Sequence, residues 1–139
     1  MQGKLHKTSP IGIFDSGLGG LTVMKAVMKM LPCEDMIYFG DTARVPYGTK
    51  SPEAIKKFSR QNAEVLMGRG VKAIIVACNS SSSYALETLQ RQCPVPVIGV
   101  IDPGVRKALA VTRRKYIGVI ATQATVNSQA YSSRIGKLC

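Results

Sequence analysis

Apolar residues in this chain fall into short runs that alternate with segments of helical spacing. Ile11-Gly12-Ile13-Phe14 reads as a first strand. Leu21, Met24, Val27, Met28 and Leu31 then recur at the period of an amphipathic helix, which Pro32 stops. Met36-Ile37-Tyr38-Phe39 reads as a second strand. Ser51-Pro52-Glu53 is a strong helix start, with a capping hydroxyl, proline at the first helical position and an acid in the first turn. Ile55, Phe58, Val65 and Leu66 give that helix an apolar face, and Gly68 and Gly70 end it.

Ala73-Ile74-Ile75-Val76-Ala77 is apolar on both faces, as a strand buried in a parallel sheet has to be. A helix over about Ser81 to Arg91 follows, then a strand Val97-Ile98-Gly99-Val100, a helix from about Pro103 to Val111 and a strand Ile117-Gly118-Val119-Ile120. This rhythm predicts an α/β fold, a three-layer parallel sheet flanked by helices. Ile101-Asp102-Pro103 is the best candidate domain boundary.

Ligands of such sheets bind at the carboxyl ends of the strands. The polar residues collect there. The first strand runs into Asp15-Ser16-Gly17-Leu18-Gly19-Gly20, the second into Gly40-Asp41-Thr42, the third into Cys78-Asn79-Ser80-Ser81-Ser82, the fourth into Asp102 and the fifth into Thr122, with Thr125 beyond. The glycine-rich turn suits a phosphate or carboxylate at a helix start. It is not a P-loop, since no Gly-Lys-Ser/Thr follows, and Thr22 stands where a full dinucleotide fingerprint needs its third glycine. Asp41 still falls near the place of a ribose-binding acid, so a dinucleotide site stays open as a rival.

Cys78 follows a buried strand and precedes a helix start, where the helix dipole favours thiolate. Asp15 is expected beside it, and a carboxylate near a thiol can take or return its proton. The only histidine is His6, in the amino-terminal segment, which argues against a Cys-His nucleophile pair and for proton transfer. The other cysteines, Cys33, Cys93 and Cys139, form no Cys-x-x-Cys pair, so zinc has poor ligand supply. By default each is a small buried hydrophobe or a bystander.

These motifs resemble those of bacterial glutamate racemases. Phe14 to Thr22 is similar to the family's opening motif, Tyr38 to Gly48 to its second, and Ala77-Cys78-Asn79-Ser80 to its first catalytic-cysteine motif. Ile120 to Val126 is similar to a later Gly-Thr-x-x-Thr segment. The resemblance runs from about Ile11 to Tyr131. It implies interconversion of L- and D-glutamate for peptidoglycan synthesis, without metal or pyridoxal cofactor, by two cysteines on opposite faces of the α-carbon. Carried over, Cys78 is the first catalytic base and Asp15 its assisting acid. Asp15, Ser16, Pro46, Tyr47, Gly48, Asn79, Ser80, Thr122 and Thr125 would bind the substrate glutamate, whose amino group suits Asp15 or Asp41.

Three departures stand out. Ser80 replaces a usual threonine and keeps the hydroxyl. Ala121 replaces a usual glycine. The family's second catalytic cysteine, in a Gly-Cys-Thr-His type segment, has no counterpart, and Cys139 lacks its context. The resemblance therefore implies a first racemase domain over 1–100, the start of a second over 101–139, and a truncated form. A homodimer or a companion chain would then supply the missing half. A non-catalytic anion or amino-acid binding module is the alternative.

The remaining composition narrows the partners. No apolar run approaches the roughly 20 residues needed to cross a bilayer, and no signal peptide is visible, so cytoplasmic residence without a membrane partner is expected. The net charge of +11 raises nucleic acid as a third reading. The bases are scattered, however, and the densest cluster is Arg113-Arg114-Lys115. A solvated basic face is the expectation. DNA binding should accordingly be weak, insensitive to sequence and lost at physiological salt. A mobility-shift assay showing tight, sequence-selective binding at that salt would contradict this.

Overall fold

A computed structural model describes residues 7–114 and 116–138. His6 and Cys139 lie outside the described residues. Four strands form one parallel sheet: β1 (Ile11–Asp15), β2 (Met36–Gly40), β3 (Ala73–Val76) and β4 (Val97–Gly99), in the order β2-β1-β3-β4. The helices are α1 (Leu21–Met30), α2 (Pro52–Met67), α3 (Asn79–Tyr84), α4 (Leu86–Gln92), α5 (Ile101–Val111), α6 (Gln123–Asn127) and α7 (Ala130–Leu138). Single 3-10 turns cover Thr42–Arg44 and Tyr47–Thr49.

Alternation along the strands sorts the core into two layers. Phe14, Ile74, Val76 and Val97 face α2 and α4, meeting Ala63, Leu66, Ala85 and Leu89. Ile11, Ile13, Ile75 and Tyr38 face α1, meeting Val23 and Met24. The α1 side is thinly covered, since α1 buries none of its residues and Ile98 of β4 is half-exposed. The central strand β1 is buried along its whole length, which explains its apolar run.

Most elements match the sequence pattern, and the exceptions have physical causes. The segment expected as one helix near Ser81 to Arg91 is two, α3 and α4, meeting at Ala85. On α2 the face turned to the core is Ile55, Ser59, Asn62, Ala63 and Leu66, while Val65 is exposed. The buried polar pair is satisfied, Ser59 by the Ser81 hydroxyl at 2.9 Å and Asn62 by the Tyr47 hydroxyl at 3.0 Å. Ile117-Gly118-Val119-Ile120 is not a strand. No described strand pairs with it, Val119 and Ile120 are exposed, and a lone extended segment has no ladder to stabilise it.

The contrast between Ile74 and Ile120 is measurable. Ile74 is fully buried between the sheet and its helices, so Ile74→Ala should cost roughly 2–5 kcal/mol of unfolding free energy in urea. Ile120→Ala should stay within about 0.5 kcal/mol, as an exposed position does. Equal losses at the two positions would contradict the assignment of the core.

Candidate active site

The register of the sheet assembles the site. β1 lies between β2 and β3, so Asp15 ends beside Gly40 on one side and next to Ala77 and Cys78 on the other. Asp15 is buried, and a carboxylate there needs donors. Its Oδ2 accepts the amide N–H groups of Gly17 at 3.2 Å and Gly20 at 3.0 Å. Gly20 has no room for a side chain. A Cβ there would lie 2.7 Å from Asp15 Cβ, 2.9 Å from Ala77 Cβ and 3.0 Å from the Tyr38 hydroxyl.

Cys78 caps α3 and is buried against Tyr47, Ile55 and Ala124. Its Sγ accepts the Ser81 amide at 3.5 Å. The expected dipole of a long helix reduces here to this one contact, because α3 has six residues. The four serines that follow have separate duties. Ser80 shares a hydrogen bond with the Thr122 hydroxyl at 3.0 Å, and Ser81 accepts from Ser59. Ser82 donates to the Val76 carbonyl at 2.9 Å and Ser83 to the Asn79 carbonyl at 2.8 Å.

Thr122 closes the site from beyond α5. It caps α6, sits 3.1 Å from the Thr125 hydroxyl, and packs on Gly48, where a Cβ would come within 2.6 Å of it. The result is an open cleft of about 540 Å³. Asp15, Ser16, Pro46, Tyr47, Gly48, Cys78, Asn79, Ser80 and Thr122 all line it. Thr125 does not. It is buried behind Thr122 and acts on the cleft only through that hydroxyl.

Two acids anticipated at this edge are committed elsewhere. Asp41 is buried, bonded to the Tyr47 hydroxyl and paired with Arg44 Nε at 2.7 Å, so it does not face the cleft. Asp102 lies in α5, paired with Arg106 and Arg134. The Tyr47 hydroxyl is likewise spent inside. Burial and the hydrogen bond to Asp41 push its pKa well up. Arg44 donates at 3.0 Å to Asn62 and rests 4.4 Å from the Phe58 ring centre. Together these groups clamp the loop that presents Pro46 to Gly48.

Sequence reasoning missed Tyr131, which lines the cleft and donates to Asn79 Oδ1 at 2.7 Å. It stands 52 residues from its partner, outside any local motif. It also missed Asn62, whose signal was present as an amide on the inward face of α2.

A parallel α/β sheet carrying an acid and a thiol in one cleft at its strand ends defines the class. The profile of the family Asp/Glu/Hydantoin racemase matches residues 11–138, and the chain belongs to that family. It is 56% identical over 128 residues to the glutamate racemase of Geobacter metallireducens, covering 92% of this chain and 47% of that one. For the glutamate racemase of Aquifex aeolicus the identity is 54% over 125 residues, covering 90% and 49%. Among solved structures, glutamate racemase isoform RacE1 from Bacillus anthracis superposes with a TM-score of 0.92 at 44% identity, over 96% of this chain and 50% of that one. The Francisella tularensis glutamate racemase in complex with D-glutamate gives 0.85 at 52% identity, over 94% and 48%. The chain thus spans about half the length of the relatives it matches.

The Asp41 clamp can be tested apart from any activity. Asp41→Ala strips a buried partner from Arg44 and Tyr47 together and should cost about 3 kcal/mol in urea unfolding. A loss under about 1 kcal/mol, the range of a surface ion pair, would show that apolar contacts alone hold the loop.

Proposed function

We propose that this chain forms the Asp15–Cys78 half of a centre that interconverts L- and D-glutamate. The observation that carries the reading is the pairing in one cleft of a carboxylate fixed by two amides with Cys78, the single thiol lining that cleft among the described residues. Cys78 as thiolate takes the α-proton. The S–H bond forms, the Cα–H bond breaks, and the electron pair delocalises into the α-carboxylate. Asp15 assists by exchanging a proton with the thiol. A second thiol returns a proton to the opposite face. Ser16, Asn79, Ser80 and Thr122 offer donors to the substrate carboxylates, and Pro46, Tyr47 and Gly48 form the facing wall, with Thr125 in support of Thr122. No metal or pyridoxal cofactor enters these steps.

The second thiol does not come from the described residues. Cys33 is exposed outside the cleft and Cys93 packs on the core between α2 and α4, where burial raises its pKa. In this reading residues 1–100 are the first racemase domain and 101–139 begin the second. The opposite base then comes from further polypeptide, either a companion chain or a second copy. The product would serve peptidoglycan synthesis in the cytoplasm.

This chain alone should therefore exchange the α-proton slowly and racemise glutamate poorly. An open half-site admits water and leaves the carbanion weakly stabilised, and loose substrate orientation alone can cost around a hundredfold. The check is to incubate it with L-glutamate in deuterated water and follow α-deuterium and optical rotation. Fast racemisation abolished by Cys78→Ala would show that the cleft needs no second half. Absence of any Cys78-dependent exchange, even with a polypeptide carrying the second cysteine added, would defeat the reading.

A further inference from the structure

Asp15 Oδ2 is engaged by the Gly17 and Gly20 amides, so its direction depends on how the Ser16–Gly20 turn is held. That turn is exposed at Leu18 and Gly19. A restraint comes from beneath. Tyr38 of β2 points to the α1 side of the sheet, and its hydroxyl donates to the Gly17 carbonyl at 2.8 Å, across 21 residues of sequence. The neighbouring strand position is kept clear for this contact, because a Cβ at Gly40 would collide with that same carbonyl oxygen. Gly20, at the other end of the turn, is equally pressed against the phenol and Asp15.

The phenol is a dependable donor. Burial first, then the charges of Asp15 and of a Cys78 thiolate, raises its pKa to about 12. It therefore keeps its proton through the neutral and mildly alkaline range. Tyr38 does not line the cleft.

We propose that Tyr38 is a positioning residue for Asp15, fixing the Gly17 carbonyl so that the Gly17 and Gly20 amides hold one carboxylate oxygen and leave the other turned to the cleft and Cys78. The proposal deepens the racemase reading, but its core is a statement about the chain itself. Loss of the phenol oxygen frees the turn, weakens the two amide contacts and leaves the carboxylate charge less compensated beside the thiol. A less compensated anion disfavours thiolate.

The test needs no substrate, so it fails independently of the racemase reading. Per-cysteine alkylation by iodoacetamide at neutral pH is measured in the unaltered chain, in Tyr38→Phe, in Asp15→Asn and in the double variant, with Cys33 as internal control. The expected result is a cycle that does not add. Tyr38→Phe should slow Cys78 by about threefold while Cys33 keeps its rate, and should change Cys78 by less than about 1.5-fold once Asp15 is neutral. An equal effect in both backgrounds, or none in either, would overturn the proposal, as a purely structural tyrosine acts without regard to Asp15. The retained ring keeps the packing with Ile13 and Met24. Should Tyr38→Phe nonetheless fold poorly, amide exchange in the unaltered chain decides. A Gly20 amide protected well beyond that of Gly19 supports the clamp, and one exchanging like an open loop refutes it.

Discussion

A carboxylate at the end of a strand buried on both faces must be hydrogen-bonded or be driven neutral, and the region around Asp15 answers that demand. Two amides on one oxygen supply donors that its burial demands. To bring both amides to it, the chain has to reverse within five residues and start α1 at once. That geometry excludes a side chain at Gly20 and requires Tyr38 and Gly40 on the adjacent strand. The strand order does the rest, because β1 in the middle of the sheet sets Asp15 between the β2 loop and the β3 end that carries Cys78.

The segment after α5 is attached by a different kind of force. Ile117 to Ile120 contributes no ladder, and α6 buries only Ala124 and Thr125. What seats α6 is a chain of hydroxyls, Ser80 to Thr122 to Thr125, closed over Gly48. Each hydroxyl is both donor and acceptor, so the chain satisfies itself in the absence of substrate. It also explains why serine serves at position 80. The single Oγ reaches Thr122, and the methyl of a threonine takes no part in the contact.

Much of this was legible in the sequence, and the limits have physical causes. Four strands and their helices follow from runs and periods that no competing pattern disturbs, and the strand-end residues Asp15, Cys78 and Ser80 follow from the rule that parallel sheets bind at their carboxyl edge. The fifth strand failed because β-propensity says only that a segment can fit a sheet, while a neighbour must be there to pair with it. Asp41 follows β2 and Asp102 lies in the first turn of α5, yet both serve as ion-pair partners, since proximity along the chain does not reveal that Arg44, Tyr47 and Arg134 would reach them first. Tyr38, Asn62 and Tyr131 act through partners 15 to 52 residues away, and a single sequence carries no mark of such pairs.

One absence among the described residues shapes the chemistry. The chain carries a net charge of +11, yet no lysine or arginine lines the cleft. Anionic groups entering it would meet amides, hydroxyls and the Asn79 carboxamide instead. In the proposed reaction, where a thiol removes a weakly acidic proton, this arrangement has a clear advantage. An ammonium or guanidinium beside Cys78 would stabilise the thiolate, and a thiolate of lower pKa is a weaker base. Neutral donors can hold carboxylates in place without that loss, because their field is short-ranged and directed at the oxygen they bond. Burial of Cys78 against Tyr47, Ile55 and Ala124 also withholds water from the sulfur. The basic excess is thereby kept where it serves solubility and encounter, and the cleft is left to amides, hydroxyls, one thiol and one carboxylate.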